Sequence, residues 1–403
     1  MKILALNTGS SSVKFKIFNM SDESVLLEGL IEKRGEDSFH AKVSDYSIGV
    51  THDMDLFMPN HAYVITVLLE QLELRGYISK IDAIGHRIAH GADKFEDAVL
   101  IDNRTVEKIA SLNEIAPLHN PVIVNSIQEV MRRHPDIPNV AVFDTVFHKT
   151  LPAYAYMYAL PMAIFSKYGV RKYGFHGISC KFVAEMTAKK LGIDYTRFNC
   201  IYVHLGSGCS LTTIENGKSI STTMGFTPMD GLMMSTRSGS IDVGVVEYLN
   251  HRGYSVDKIM KILNRKSGLL GVAGTNDMRR VIAKMKDGDK NAELAVQMFV
   301  MRVRKEIASS FALMNRVDAL VFTGGIGENQ SDIREKICEK MEHLGIQIDP
   351  ALNRETKGKL NIISKSNSKI KILVVPTNEE LEIARETYRI TRDNDSRLAP
   401  DGV

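Results

Sequence analysis

The stretch LALNTGSSSVKFKIF (Leu4–Phe18) decides the fold. Two apolar or alternating runs, Met1–Asn7 and Val13–Phe18, flank a short segment of glycine and serine. This pattern predicts a strand, a tight polar turn and a second strand. Backbone amides and hydroxyl groups in such a turn donate hydrogen bonds to phosphate without adding bulk, so the hairpin is a candidate phosphate-binding element.

The same pattern returns later in the chain as CIYVHLGSGCSLTTI (Cys200–Ile214). Placing Asn7 over His204 aligns Gly9 with Gly206. A repeat this short also arises by chance. Two matched hairpins nevertheless favour an ancient duplication with one hairpin in each of two lobes, as expected of a protein that holds a polyphosphate.

A third glycine-rich segment is VFTGGIGENQ (Val321–Gln330). Ala319–Phe322 reads as a buried strand and Ser331–Leu344 has the apolar spacing of a helix, so the glycines are predicted to form a strand-to-helix turn. Such a turn lets the backbone approach a flat or anionic ligand closely. A purely structural interpretation is equally open, because glycine-rich turns are common in α/β proteins.

Bulk composition limits the class of protein. The chain has 403 residues, 44% of them apolar and 25% charged, which is typical of a globular protein with two domains or one elaborated domain. A formal net charge of +3 is too small to favour nucleic acid or membrane partners. The four cysteines show no metal-ligand spacing, and no apolar run is long enough to span a membrane. We therefore expect a cytoplasmic protein with free thiols.

Strands and helices alternate along the rest of the chain, which predicts α/β layers with mixed sheets. The predicted helices are Ala62–Leu74, Thr105–Ser111, Pro121–Arg133, Asn291–Met314 and Glu379–Arg392. The predicted strands include Ala83–His86, Val140–Phe143 and Lys369–Val375, and Leu151–Pro161 reads as a connecting loop. We expect the last helix to pack back on the N-terminal lobe.

Five charged or ionisable residues stand beside predicted tight turns: Arg87, His119, Asp144, His176 and Arg237. Taken singly, each has an ordinary structural explanation, because lone histidines pack, lone arginines form surface ion pairs and aspartates cap turns. Their joint occurrence favours a catalytic or ligand-binding role for these residues. The arginines and histidines recur without acidic neighbours in the sequence.

A series of motifs resembles acetate kinase and its close relatives in order and spacing, from Lys2 to about Tyr388. The motifs are LALNTGSSSVKFKIF, GHRIAHG, APLHNP, VFDTVFH, YGFHG, HLGSG, GLMMSTRSG, FTGGIGEN and PTNEE. This resemblance implies the two-lobed α/β fold of sugar kinases, actin and chaperone ATPases, a duplicated ββαβαβα unit with ATP in the cleft between the lobes. The implied N-terminal lobe is 1–148 plus 380–403, and the C-terminal lobe is 149–379.

Site residues follow from the resemblance position by position. It implies Mg²⁺, or Mn²⁺ in its place, at Asn7 and Glu379, and catalytic roles for Asp144, His176 and Arg237. The short-chain carboxylate is expected at Arg87, Ala89, Leu118, His119, Phe175 and Pro228. ATP or ADP is expected at Lys14, His204, Leu205, Gly206, Ser207, Gly208, Asp277, Met278, Arg279, Gly325, Ile326, Gly327, Glu328 and Asn329. The resemblance also suggests a homodimer.

The implied chemistry agrees with these residue types. A short carboxylic acid has a pKa of about 4 to 5, so it arrives ionised and needs no general base. Asp144 is therefore better interpreted as a group that orients Mg²⁺ or water than as a proton acceptor. Arg87, His176, Arg237 and Mg²⁺ would neutralise charge as the carboxylate approaches the γ-phosphate.

The sequence departs from the family most informatively at Ala89. Acetate kinases typically have valine there, whereas relatives that act on propionate have alanine. The leading interpretation is reversible ATP-dependent phosphorylation of acetate, with propionate kinase as the alternative and butyrate kinase further behind. A different class, a nucleotide-gated binding module like actin, would not need Arg87, His119, His176 and Arg237 together.

Overall fold

The chain was analysed as a computed structural model. The structure describes residues 1–9, 12–35, 37–58, 63–117 and 120–398, without the side chains of 395–398. The chain divides into two compact units, Met1–Val146 with Asn378–Val403, and Phe147–Thr377. The boundaries expected from the sequence fall at 148/149 and 379/380.

The strands and helices are as follows. The strands are β1 (Lys2–Thr8), β2 (Ser12–Asn19), β3 (Ser24–Lys33), β4 (Ser38–Asp45), β5 (Val50–Phe57), β6 (Ala83–Ile88), β7 (Val99–Leu100), β8 (Asn139–Phe143), β9 (Cys200–Leu205), β10 (Cys209–Glu215), β11 (Lys218–Thr222), β12 (Ala319–Thr323), β13 (Asn361–Ile362) and β14 (Lys371–Val374). The helices are α1 (Tyr63–Leu74), α2 (Asn103–Ala110), α3 (Asn120–Arg133), α4 (Ala153–Tyr156), α5 (Met162–Tyr168), α6 (Gly177–Leu191), α7 (Val243–His251), α8 (Val256–Arg265), α9 (Gly268–Ala273), α10 (Met278–Lys286), α11 (Lys290–Leu313), α12 (Gly324–Asn329), α13 (Ser331–Cys338), α14 (Pro350–Glu355) and α15 (Glu379–Leu398). Short 3₁₀ turns lie at Ile78–Lys80, Val146–Thr150, Tyr195–Arg197 and Glu342–Leu344.

The sheet of the first unit has the order β5-β4-β3-β2-β1-β6-β8-β7. Strand β1 is antiparallel to β2 and parallel to β6, and β6 is parallel to β8. The apolar face of α1 packs on this sheet through Val64, Leu68 and Leu69, which are buried with Leu4 and Phe15. The first hairpin therefore forms the centre of the sheet.

The sheet of the second unit has the order β11-β10-β9-β12-β14-β13. Strand β9 is antiparallel to β10 and parallel to β12, and β12 is parallel to β14. The order β11-β10-β9-β12-β14 thus repeats β3-β2-β1-β6-β8 of the first unit. The repeated order agrees with the duplication predicted from the two hairpins and with the predicted fold class.

Helix α15 packs against β1, β6 and β8 of the first unit. A Cβ at Gly85 on β6 would lie 2.2 Å from Thr387 Oγ1 and 2.7 Å from Ile383 Cγ2, so only glycine permits this close approach. The chain therefore returns to the first unit at its end, as the sequence predicted. Its acidic first turn, which contains Glu379 and Glu380, begins at this sheet.

Several predicted elements differ in detail from the structure. The glycine-rich segment forms the short helix α12 instead of a turn, and the single helix predicted over Ser331–Leu344 is instead α13 followed by a 3₁₀ turn. The loop predicted over Leu151–Pro161 contains α4, and α15 continues past Arg392. These differences lie in short segments where local sequence patterns are weakest.

Candidate active site

In the first unit, Arg87 and Asp144 come together near the carboxyl ends of two parallel strands. Arg87 lies on β6, opposite Val142 of β8, and Asp144 follows β8 directly. Arg87 Nη2 donates a hydrogen bond of 2.8 Å to Asp144 Oδ2, and Asp144 is 1% exposed. Arg87 has no acidic neighbour in the sequence, but in the sheet it pairs with an aspartate 57 positions away.

Asn7 and the start of α15 form the second part of this group. Asn7 Nδ2 donates to Glu379 Oε2 at 3.0 Å and to Glu380 Oε1 at 3.2 Å. Arg87 Nε also lies 3.9 Å from Glu379 Oε2. The three motifs that contribute Asn7, Arg87 and Glu379 are far apart in the sequence and converge at one edge of the sheet.

The charge balance of this group suits a cation. Burial is the largest cause that raises the pKa of the Glu379 carboxyl; Arg87 and Lys14 lower it, whereas Asp144 and Glu380 raise it further. Three carboxyl groups thus face two basic side chains, and a bound divalent cation would relieve the excess negative charge.

The donor atoms of this group also suit magnesium. No cluster of three or more His, Cys, Asp or Glu side chains able to hold a metal is found among the described residues. Mg²⁺ in phosphoryl-transfer enzymes is usually held by one or two carboxylates together with substrate phosphates and water. Asn7 and Glu379 offer oxygen ligands of this kind, so the group fits a metal that arrives with ATP.

Arg87 keeps one unused donor. Its Nε is buried and has no hydrogen-bond partner in the described part of the chain. A buried N–H group without an acceptor is costly, and a bound carboxylate would satisfy it. The guanidinium can therefore donate to Asp144 through Nη2 and also donate to a small bound anion through Nε.

In the second unit, His176 lies beside the turn of the second hairpin. His176 has a left-handed backbone (φ 58°) at the start of α6, and its ring stacks on His204 at 4.2 Å between centroids. His176 Nδ1 hydrogen-bonds Ser210 Oγ at 2.9 Å. A Cβ at Gly208 would lie 3.2 Å from His176 Nε2 and 3.6 Å from Arg237 Nη1. Glycine at 208 therefore leaves room for the side chains of both His176 and Arg237.

Arg237 is supported by backbone instead of by an acid. Its Nη1 donates to the Pro228 carbonyl at 3.2 Å and contacts Met234 Sδ at 3.8 Å. Burial lowers the pKa of the guanidinium, and Cys209 opposes this effect. No carboxylate pairs with Arg237 among the residues that the structure describes, so its charge is available to an anionic ligand.

The second hairpin is fixed from below by hydroxyl groups. His204 Nδ1 lies 2.9 Å from the Tyr202 hydroxyl and 3.3 Å from Ser179 Oγ. Ser179 Oγ lies 2.6 Å from Thr377 Oγ1. Ser207, at the tip of the turn, is exposed. The arrangement holds the His204 ring and leaves the serine hydroxyl accessible.

Helix α12 follows β12 immediately and is anchored by Glu328. Gly324 has φ +76°, and a Cβ there would lie 2.8 Å from the Leu205 carbonyl oxygen. Glu328 Oε1 accepts hydrogen bonds from the amides of Gly324 (2.9 Å) and Thr377 (3.1 Å). The Glu328 carboxylate is thus used by the protein itself, while Gly325 and Asn329 lie on the exposed face.

In the segment Asp277–Arg279, the two charged side chains bind mainly to each other. Asp277 caps α10 by accepting a hydrogen bond of 2.9 Å from the Arg279 amide, and the Arg279 guanidinium pairs with the same carboxylate at 2.7 Å. This pair lowers the pKa of Asp277. Met278 is buried in the core. Any contact with a ligand in this segment therefore involves the exposed Arg279 or the backbone.

Comparison with known proteins places the chain in a family. The model of the acetokinase family matches residues 2–385. The chain belongs to the acetokinase family. It is 46% identical over 394 residues to the acetate kinase of Campylobacter fetus, covering 97% of this chain and 98% of that protein. It is 42% identical to the acetate kinase of Bacillus subtilis over 396 residues, covering 97% of this chain and all of that protein.

Solved structures of family members have the same fold. The acetate kinase of Porphyromonas gingivalis superposes with a TM-score of 0.89 at 40% identity, covering 97% of this chain and 99% of that chain. A propionate kinase from Francisella tularensis superposes with a TM-score of 0.91 at 42% identity, covering 96% and 99%. The family thus includes relatives named for two different acids at similar similarity to this chain.

The residues expected to contact the acyl chain of an acetokinase substrate lie in different parts of the structure. Ala89 is buried in an apolar cluster of the first unit that also contains Phe95 and Phe143. Phe175 belongs to the core of the second unit, and Pro228 is partly buried there. Two further residues in this predicted set, Leu118 and His119, lie outside the described residues.

Three side chains expected at the nucleotide are buried in the core. Leu205, Met278 and Ile326 belong to the apolar cluster of the second unit. Because these side chains are buried, only their backbone atoms can contact a nucleotide. The sequence prediction includes them because a motif match covers consecutive residues and does not distinguish side chains that point to opposite faces.

Sequence reasoning overlooked Glu380, Ser210 and Arg334. Glu380 accepts a hydrogen bond from Asn7, and its position in PTNEE, next to Glu379, was a visible signal. Ser210 orients His176 from the strand after the second turn. Arg334 on α13 is fully buried. The sequence around it has the pattern of an ordinary helix, which does not distinguish a buried arginine from one on the surface.

Two general expectations can be compared with the structure. Cys180, Cys200, Cys209 and Cys338 form no disulfide and are buried, and burial raises the pKa values of the Cys209 and Cys338 thiols to about 12. Such thiols are poor nucleophiles and poor metal ligands. Within the described ranges, no helix combines the length and apolar character that crossing a membrane requires.

Proposed function

We propose that the protein transfers the γ-phosphoryl group of ATP to acetate, reversibly, giving acetyl phosphate and ADP. The buried Nε donor of Arg87 carries this proposal, because a carboxylate substrate supplies the acceptor that the described residues do not provide. Relatives named acetate kinase, similar over nearly the whole chain, support the same reaction.

Different residues have different roles in the proposed reaction. Arg87 binds the substrate carboxylate while it holds Asp144, and His176 and Arg237 bind oxygens of the transferring phosphoryl group. Because acetate is ionised near neutral pH, the enzyme needs charge neutralisation and alignment and no base. Asp144 orients the metal or its water, a role that its burial and its bond to Arg87 support.

The proposed cofactor is Mg²⁺, with Mn²⁺ as a substitute, bound at Asn7 and Glu379 and by oxygens of ATP. When bound, the metal neutralises charge on the phosphates. The excess of carboxyl groups at this site supports a divalent cation. Removal of the metal with EDTA is expected to abolish turnover, and added Mg²⁺ or Mn²⁺ should restore it.

The proposed nucleotide contacts are Lys14, the turn His204–Gly208 and α12. Gly325 and Asn329 are exposed on one face of α12, where bulk would obstruct a flat base. We further propose a cytoplasmic homodimer, which light scattering of the purified protein would test; a mass equal to one 44.9 kDa chain would contradict the dimer.

A second candidate, propionate kinase, is favoured by Ala89. The alanine is 6% exposed in an apolar cluster, so valine there would add two methyl groups to a packed region. A buried methylene is worth about 0.8 kcal/mol, and discrimination by one methylene is typically about 10- to 200-fold. The similarity to a propionate kinase supports this alternative.

The test is kcat/KM for acetate, propionate and butyrate with Mg-ATP, trapping the acyl phosphate with hydroxylamine, in wild type and in Ala89→Val. If propionate matches acetate in the wild type and Ala89→Val restores a preference for acetate, Ala89 sets the acyl-chain specificity. A strong wild-type preference for acetate would reject that role and keep acetate kinase. Absence of acyl phosphate from every acid would refute the proposed kinase function.

A further inference from the structure

Helix α12 is too short and too rich in glycine to be stable by itself. It spans Gly324–Asn329, with further glycines at 325 and 327. Each glycine costs about 1 kcal/mol of helix stability relative to alanine, and a helix this short does not offset its nucleation cost. Other parts of the chain must therefore hold α12 in place.

Arg334 on α13 donates hydrogen bonds to the carboxyl end of α12. It is fully buried, and its Nη1 donates to the carbonyls of Gly327 at 2.8 Å and Glu328 at 3.0 Å. Its Nε donates to Asn353 Oδ1 at 2.8 Å, and Nη2 donates to the carbonyls of Asn353 at 2.7 Å and Thr356 at 2.9 Å. These bonds occupy the five N–H donors of a guanidinium.

The charge of Arg334 is balanced by helix ends instead of by an acid. No carboxylate pairs with it in the described part of the chain. Burial lowers the pKa of the guanidinium to about 10, so the group remains charged at neutral pH. Gly327 and Glu328 lie at the carboxyl end of α12, and Asn353 and Thr356 lie at that of α14, where helix dipoles are negative.

We propose that Arg334 is a positioning residue for the nucleotide, holding α12 so that its exposed face is ready to receive adenosine. The inference rests on the proposed function, because that function places ATP on α12. Arg334 itself touches no substrate. Loosening α12 would add an ordering cost to nucleotide binding, whereas Arg87 and Asp144, in the other unit, would remain unchanged.

The chain supplies a matched control in Arg304 on α11. Its Nε donates to the Ile337 carbonyl at 3.2 Å and its Nη2 donates to the Lys336 carbonyl, both at the carboxyl end of α13. Arg304 makes the same type of contact as Arg334, but within the described ranges it has no hydrogen bond to α12. Arg304→Lys therefore reports the general cost of losing such an arginine fork.

The experiment compares wild type, Arg334→Lys and Arg304→Lys as full-length proteins. ADP affinity is measured by calorimetry without acetate, together with the melting temperature and with kcat and KM for ATP and acetate. For Arg334→Lys we expect ADP binding to weaken about 10-fold or more and KM for ATP to rise similarly. The KM for acetate should stay within about twofold, and Arg304→Lys should lose thermal stability without losing ADP affinity.

Equal loss of ADP affinity in both variants would show a general structural role and overturn the proposal, as would unchanged ADP affinity in Arg334→Lys. If Arg334→Lys does not fold, Glu328→Ala removes the carboxylate that accepts from the Gly324 amide at the amino end of α12, and unchanged ADP affinity in that variant would overturn the proposal. A wild type that binds ADP but makes no acyl phosphate would refute the proposed function and leave this comparison valid.

Discussion

Gly324 and Gly325 are neighbours in α12, and alanine substitutions at these positions are expected to have opposite effects on stability. A Cβ at Gly325 would meet no atom within 4 Å, and the residue is exposed. Alanine favours a helix by about 1 kcal/mol over glycine, so Gly325→Ala should raise the melting temperature by roughly 2–4 °C.

At Gly324, a substitution to alanine would place the new Cβ against the backbone of Leu205. Its φ is +76°, and a Cβ would lie 2.8 Å from the Leu205 carbonyl oxygen and 2.9 Å from its carbonyl carbon. The left-handed conformation costs alanine about 1–2 kcal/mol, and overpacking typically costs about 1–3 kcal/mol. Gly324→Ala should therefore destabilise the protein by roughly 2–5 kcal/mol, measured by urea denaturation.

The functional outcome at Gly325 tests the proposed nucleotide contacts. If adenosine passes over this glycine, the added methyl group occupies space needed by the ligand, and KM for ATP should rise about 10-fold or more while kcat changes little. A Gly325→Ala variant that is more stable and keeps its KM for ATP would show that the nucleotide does not lie against this face. A neutral Gly324→Ala would contradict the backbone geometry described for α12.

Two further predictions concern stability near Arg87. Ala92 has a left-handed backbone (φ 49°), which costs a non-glycine residue about 1–2 kcal/mol. After the conformational entropy cost of glycine is subtracted, Ala92→Gly should raise the free energy of unfolding by about 0.5–1 kcal/mol. A lower urea midpoint for this variant would contradict the prediction. Burial lowers the pKa of His86 to about 4 despite its hydrogen bond to Asn139, so the unfolded chain binds the extra proton as pH falls from about 6.5. The stability contributed by neutral His86 is present above pH 6.5 and falls by about 2–3 kcal/mol by pH 4.5, and His86→Gln should remove this part of the acid sensitivity; equal losses in both proteins would refute it.

The fold was largely predictable because its signals are local. Each hairpin is a strand, a Gly/Ser turn and a strand in continuous sequence, and strands β6, β8 and β12 follow from short apolar runs. The extent of α12 was not predictable, since a helix with three glycines contradicts residue propensity and exists through contacts with Glu328 and Arg334. In such segments, tertiary contacts override the intrinsic helix propensity of the residues.

The site was predictable only in part for a related reason. Motif resemblance supplied Asn7, Arg87 and Glu379, but not the ion pair between Arg87 and Asp144, whose members are 57 positions apart. Nor could it separate motif residues that face a ligand from those that face the core, as Met278 does. Side-chain direction depends on the strand or helix that carries the residue, which the spacing of motifs does not specify.

The candidate site residues include a group rich in carboxylates and a separate arginine without an acidic partner in the described part of the chain. In the first unit, Asp144, Glu379 and Glu380 outweigh the basic groups, and burial holds the pKa of Glu379 above its usual value until a cation arrives. In the second unit, Arg237 is held by backbone and leaves its charge for anionic oxygens.

A metal and a phosphoryl group thus have separate protein partners. Protons compete with the metal at Glu379, because its raised pKa favours the protonated form as pH falls. Arg237 keeps its proton throughout the same range, because arginine is not deprotonated in proteins. Acid pH should therefore weaken the proposed reaction through loss of the metal from Glu379.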